Sequence, residues 1–301
     1  MIISIGEILV DVFPDYQRIG GAPFNFAYHL KQFEFPVRFF SRIGKDAFGR
    51  EIRALASASG LNPEDLQIDS QRPTGRVEVQ LTDQGNPRFV IIENAAYDFF
   101  TLDKTITEVL HLPPRMIYFG SLMQRTRNGF DTLQRILSQK HPDTLCLYDM
   151  NLRPGCAQPH IIIKSLPHAD ILKLNEEELE ITAAHLRLRH VNEPETVAAL
   201  MARFNINIVA VTRGAAGSAL YTETQRHEIA APPAVAVADT VGAGDAYSAV
   251  LAAGVLSGWP PEKILIHANR FSAHICSVKG AFPAAGHMYA EFRAQFGETI
   301  R

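Results

Sequence analysis

The chain has 301 residues, 47% of them hydrophobic and 20% charged, with a formal net charge of -3. This is the composition of an ordinary globular protein with room for one large α/β domain. Mild acidity and scattered Lys and Arg argue against nucleic acid or an anionic membrane as a partner.

The opening MIISIGEILVDVF is apolar but carries Glu7 and Asp11 and lacks a positive lead or cleavage site, so a buried strand is expected, not a signal peptide. No run approaches the ~18 apolar residues of a membrane span. Strands are expected at Ile2–Ile5, Val37–Ile43, Met116–Phe119, Leu145–Asp149, Ile171–Leu174, Ile208–Thr212 and Ser218–Thr222. Helical patterns fall between them, at Phe24–Phe33, Ala47–Ser59, Gly129–Gln139, Glu176–Ala184 and Pro194–Phe204. After Gly242 the chain reads as helix at Ala246–Leu256, Pro261–Val278 and Tyr289–Phe296. Continuous apolar strands separated by helices imply a parallel sheet covered on both faces, with ligands at the carboxyl ends of its strands. Cys146, Cys156 and Cys276 are too few and dispersed for a disulfide framework or zinc cluster, and read as core fillers in a reducing, cytoplasmic compartment.

One segment breaks the alternation. Arg76–Thr82 and Arg88–Glu93 flank the turn-forming Asp83–Asn86, which predicts an antiparallel hairpin joined by Leu9–Phe13. The expectation is one unit over 1–301, carrying a β insertion from about 9–19 and 72–96. Such a sheet would serve as a lid, or pair two copies into a homodimer through an apolar face such as RFVII.

The densest chemical signal is Asp239-Thr240-Val241-Gly242-Ala243-Gly244-Asp245, followed by an apolar helical run. Glycines at spacing two let the backbone approach a ligand, and a helix start points amides and a positive dipole end at an anion. A carboxylate in the first turn adds a base, so phosphoryl transfer to an alcohol suits the pattern. There is no G-x-x-x-x-G-K-[ST], and Tyr247 stands where G-x-G-x-x-G needs its third glycine.

Together with four further segments, this stretch resembles the ribokinase-like (PfkB) carbohydrate kinases. The segments are Gly20–Ala27 running on to SRIGKDAFG, then Asp149–Arg153, Leu174–Glu178 and Val211–Gly217, in the family's order along nearly the whole chain. The resemblance implies a three-layer α/β/α fold with a mostly parallel sheet and a small β lid. It implies Asp245 as general base and the amides around Gly242, Ala243 and Gly244 as an anion hole. Asp11, Gly21, Asn25 and Arg153 are then sugar contacts, and Thr212, Gly214, Gly217 and Asn269 nucleotide contacts. Asn175 and Glu178 resemble the motif that organises Mg2+ through water, although Asn before a Glu-rich turn also fits a helix cap. Asp239 matches a residue that ligates a monovalent cation such as K+ in several relatives.

ATP, Mg2+ and a sugar are thus the implied ligands. GGAP-x-N with GEILVDVFP looks most like fructokinases. Phe24, Met150 and IIENAAYDFF depart from that pattern, and Phe24 with Tyr97, Phe99 and Phe100 is expected to reshape the pocket. The alternatives are 2-keto-3-deoxygluconate, another sugar or a nucleoside as acceptor, or a non-catalytic sugar-binding regulator.

Overall fold

The computed structural model describes residues 1–13, 15–81, 87–153, 158–188, 192–232, 237–283 and 286–296. Its strands are β1 Ile2–Ile5, β2 Leu9–Val12, β3 Gln17–Gly20, β4 Val37–Gly44, β5 Leu66–Asp69, β6 Gly75–Leu81 and β7 Pro87–Ile91. They continue with β8 Met116–Phe119, β9 Leu145–Asp149, β10 Ile171–Asn175, β11 Ile208–Thr212, β12 Ser218–Thr222 and β13 Arg226–Ile229. The helices are α1 Ala22–Gln32, α2 Ala47–Ala58, α3 Lys104–His111, α4 Arg127–Ser138 and α5 Pro159–Ser165. After them come α6 Glu176–Leu186, α7 Glu193–Phe204, α8 Ala243–Leu256, α9 Pro261–Cys276 and α10 Gly286–Phe296.

Nine strands form the main sheet in the order β13-β12-β11-β10-β9-β8-β1-β4-β5. It is parallel from β11 through to β5, and β12 and β13 add an antiparallel edge. Side chains alternate across each strand, so β1 serves two cores. Ile2 joins an aromatic-rich layer with Phe24, Phe33 and Phe271, while Ile3 and Ile5 join the opposite layer with Leu133, Leu172 and Val209. The helix α8 packs against α1 and α9 and is buried almost all round, which is why its sequence is apolar with no polar stripe.

A second sheet, β3-β2-β6-β7, stands apart. Its β2 runs antiparallel to β3 and parallel to β6, and β6 is antiparallel to β7. Leu9, Val77, Ala95, Tyr97 and Leu122 form its own small core. This is the predicted β insertion; the predicted turn at 83–86 lies outside the described residues. The four-residue strands β5 and β13 and the helices α3 and α5 were not predicted, and β3 lies in the stretch 9–19 assigned to the insertion without a strand of its own. QRIG, LQID and RHEI are too short and too polar to show a period, and two of them are edge strands of the main sheet. Helix α9 ends at Cys276 and not Val278, and α10 begins at Gly286 and not Tyr289. No helix among the described residues is long and apolar enough to cross a membrane.

Candidate active site

Helix α8 starts on Gly242, whose φ of 78° is left-handed. A side chain there would meet Ala281 Cβ at 2.5 Å, so both conformation and space require glycine. Asp245 sits in the first turn, 8% exposed, and its Oδ2 accepts a hydrogen bond from Asn25 Nδ2 at 2.7 Å. Burial and the nearby Asp149 raise its pKa, while Asn25, Lys173 and Arg153 pull the other way. First-turn amides have no acceptor inside a helix; here Ala243 N leans on Thr240 O at 3.3 Å.

Gly242, Gly244 and Asp245 line one wall of a cleft of about 1170 Å3 between the two sheets. Asp11, Gly21, Asn25 and Arg153 line the same cleft. Asp11 is half-buried on β2. Burial pushes its carboxyl up to about 6 against the charges of Arg153 and Arg18. Gly21, with φ 117°, lets the chain turn into α1 beside Glu7 O, which a side chain would strike at 2.7 Å. Thus Asp11, Gly21, Asn25, Arg153, Gly242, Gly244 and Asp245 converge, although 220 positions of sequence separate Asn25 from Asp245.

The residues expected at the nucleotide lie apart from this cleft, along the carboxyl ends of β10 and β11. Asn175 and Thr212 end these strands and stand opposite each other in register. Gly214, with φ 52°, has open space where a side chain would point, while Gly217, with φ 95°, is pressed against Ile229 O. Asn269 donates to Ser218 Oγ at 2.8 Å and to Leu265 O at 2.9 Å beneath β12. Asn175 and Glu178 form the reciprocal helix cap: Glu178 N donates to Asn175 Oδ1 and Asn175 N to Glu178 Oε2, both at 2.8 Å. Glu178 Oε1 accepts Leu152 N at 2.7 Å, so both of its oxygens are engaged by backbone amides. Asp239 is likewise engaged, by an ion pair with Arg18.

One expectation changes. Phe24, Tyr97 and Phe100 are fully buried, and Phe24 packs on Phe39 and Phe282, so these rings build the core and do not shape the pocket. Phe99 lies under the Arg72 guanidinium. Val90 and Ile91 of the small sheet line the cleft.

The structure also adds residues. Lys173, on the floor of the cleft, donates to Asp149 Oδ1 at 3.1 Å, and Asp149 Oδ2 accepts Ser248 Oγ at 2.7 Å and Tyr118 OH at 3.0 Å. Burial lowers the lysine pKa, but Asp149, Glu178 and Asp245 more than reverse this, keeping the ammonium charged. Its Nζ lies 3.1 Å from where a Gly244 side chain would begin. The signal was a lone charge in the apolar strand ILKLN. Glu7, just past β1, is 4% exposed and lines the cleft. Arg125 is held by Asp98 through bonds of 2.8 and 2.7 Å.

A glycine turn and a buried carboxylate facing one cleft are the arrangement that a phosphotransferase acting on a hydroxyl compound requires. The family model "pfkB family carbohydrate kinase" matches residues 7–285, and the chain belongs to that family. It is a carbohydrate kinase. A fructokinase of Salmonella typhimurium is 26% identical over 298 residues, covering 93% of this chain and 94% of that protein. A fructokinase of Klebsiella pneumoniae is 28% identical, with the same coverage. Among solved structures, an uncharacterized sugar kinase of Pyrococcus horikoshii superposes with a TM-score of 0.83 at 24% identity, over 100% of this chain and 99% of that one. A Vibrio cholerae fructokinase with fructose, ADP and calcium bound gives 0.77 at 23%, over 96% and 97%.

Proposed function

We propose that this cleft transfers the γ-phosphoryl group of ATP to a hydroxyl of a neutral sugar, with fructose, giving fructose 6-phosphate, as the first candidate. The observation that carries this is Asp245, a buried carboxylate oriented by Asn25 and set beside the Gly242–Gly244 turn. Asp245 takes the proton of the acceptor hydroxyl as its oxygen bonds to the γ-phosphorus. The bond from phosphorus to the β,γ-bridging oxygen breaks, and ADP leaves with that electron pair. Burial makes Asp245 the better proton acceptor, and positioning with charge stabilisation supplies most of the rate in such transfers. The amides of Gly242, Ala243 and Gly244 receive charge on the equatorial oxygens, and the Lys173 ammonium adds positive potential beneath them.

Asp11 and Asn25 orient the acceptor, with Gly21 giving it close access to the backbone and Arg153 at the rim. Thr212, Gly214, Gly217 and Asn269 mark the nucleotide side. The magnesium ion enters with the nucleotide as part of the substrate and neutralises phosphate charge. Because both Glu178 oxygens accept backbone amides, Asn175 and Glu178 would act on it through water. The small sheet carrying Asp11 is the lid, excluding water that would compete as acceptor.

A neutral acceptor is favoured because Arg125 and Lys173, two of the three cations among the described residues lining the cleft, are already paired with Asp98 and Asp149, which leaves Arg153 at the rim. The test is ADP release with Mg2+ and ATP across fructose, ribose, 2-keto-3-deoxygluconate, a nucleoside and fructose 6-phosphate. Turnover on fructose is the expected result. Turnover confined to the sugar acid or the phosphosugar would overturn the neutral-acceptor reading, and sugar binding without ADP release would overturn catalysis.

A further inference from the structure

Asp239 stands at the place matched above to a monovalent-cation ligand, and the chain supplies a cation there itself. Asp239 Oδ1 accepts Val241 N at 3.1 Å, and Oδ2 accepts both Gly280 N at 3.2 Å and Arg18 Nη1. Burial pushes this carboxyl up, but the Val241 amide, Arg18 and the Gly280 amide outweigh it and hold the pKa below its usual range. The guanidinium is itself packed. It lies 4.7 Å from the Tyr16 ring centre and 5.8 Å from that of Phe13, and these rings stack on each other. A side chain on Gly280 would begin 3.4 Å from Arg18 Cδ. These facts do not fit a metal ion at Asp239. Its oxygens are engaged, and an added cation would sit beside a fixed guanidinium of the same charge.

We propose that Arg18 is a positioning residue that does the cation's work, fixing the Asp239–Gly244 turn from the small sheet. Asp239 holds the Val241 amide and the Gly280 amide at once, and Gly242 is wedged against Ala281, so the turn keeps its shape only while the Asp239 charge is compensated. Arg18 compensates it from β3, where it stands directly opposite Asp11 of β2, on the same face of the sheet. One side chain therefore ties the strand that bears the acceptor carboxylate to the turn that receives the phosphoryl charge. The proposal rests on the kinase reading given above, and predicts an enzyme indifferent to K+.

The test compares the full chain with Arg18→Met and Arg18→Lys, in KCl and in choline chloride of equal ionic strength. The unaltered protein is expected to change rate less than about twofold between the two salts. Arg18→Met should lose about 10–100-fold in kcat with sugar KM within about threefold, the pattern of a lost transition-state contribution, and K+ should restore part of it. Arg18→Lys should lose less. Melting temperature gives an activity-free readout: K+ should raise that of Arg18→Met and leave that of the unaltered chain unmoved. Activation of the unaltered protein by K+ of about tenfold or more, or an Arg18→Met variant with normal kcat and no K+ response, would overturn the proposal. Should no acceptor be turned over at all, the kinase reading fails, and the K+-specific melting shift alone decides the role of Arg18. If Arg18→Met does not fold, the salt response of the unaltered chain and of Arg18→Lys still decides it.

Discussion

Changing Glu7 to glutamine is expected to stabilise the protein, and to do so more the higher the pH. Glu7 is buried against the cleft, and its Oε2 has no hydrogen-bond partner among the described residues. Burial, opposed by its own backbone amide and by Arg153, and reinforced by Asp245, pushes the carboxyl from 4.5 up to about 7. Between those values the folded protein keeps the proton and the unfolded chain has lost it, so stability falls as pH rises through that window. Below 4.5 both states are protonated and nothing is lost; above about 7 both are ionised and the full cost is present. At about 1.36 kcal/mol per pH unit, that gap is a ceiling of about 3 kcal/mol. Glutamine has no charge to bury, so the stability difference between Glu7→Gln and the unaltered chain should widen from about 1 kcal/mol at pH 5 to about 3 kcal/mol at pH 8. For a chain of 301 residues the latter is about 5 °C in melting temperature. Melting curves of the two proteins from pH 5 to 8 test this, because every other titrating group is common to both. Any cost of the amide itself is a constant offset. Curves that run parallel across the range would refute a buried, neutral Glu7.

Asp245→Asn should cut kcat by ~10²–10⁴ while sugar and ATP affinities hold, since the amide oxygen can still accept from Asn25. The same variant should melt no lower than the parent, because it removes a buried charge close to Asp149; a lower melting point would mark Asp245 as structural. Gly242→Ala should destabilise by about 2–4 kcal/mol, from a left-handed φ of 78° and from overlap with Ala281. Urea unfolding measures that loss, and an unchanged midpoint would mean that the turn relaxes freely. Lys173→Met strands Asp149 without its ion-pair partner and should cost about 3–5 kcal/mol. Restoring stability with Asp149→Asn in the same chain would confirm that the pair, and not the packing of the lysine stem, is at stake.

The parallel sheet was legible because strands buried on both faces, such as IISI and MIYF, are uniformly apolar, and their period with the helices between them is plain. The glycine turn and Asp245 were legible for a local reason, since phosphate-type turns are written in consecutive residues. What escaped was whatever depends on pairing at a distance. Lys173 and Asp149 were both visible as charges in apolar strands, but only the parallel register of β9 with β10 sets one beside the other. Arg18 gave no signal, because QRIG carries no strand period and its partner Asp239 is 221 positions away. Phe24 and Tyr97 misled in the opposite sense. Aromatic residues near a site motif suggest a pocket wall, yet α1 and the segment beneath the small sheet turn them into the core. Glu178 shows a further ambiguity, since the spacing of a helix cap and of a metal-organising pair is the same, and the structure makes the cap.

The small sheet's first hairpin is entered and left at a single crossing. The chain passes from β1 through Gly6, Glu7 and Ile8 into β2, and returns from β3 at Gly20 straight into Gly21 and α1. A side chain on Gly21 would strike the backbone of Glu7 and Ile8, and one on Gly6 would overlap the Pro23 ring, so the outgoing and returning segments touch. Residues 9–20 are therefore an excursion whose ends the scaffold already holds together, and lengthening such a loop costs entropy only logarithmically. The strand bearing Asp11, with Leu9 and Gly20 of the cleft wall, can thus be exchanged as one short cassette, on condition that an arginine returns to the place of Arg18. The Gly242–Asp245 turn and the Lys173–Asp149 pair lie outside this cassette and need not change. A lineage could try new sugars by editing a dozen residues, and a designer could do the same.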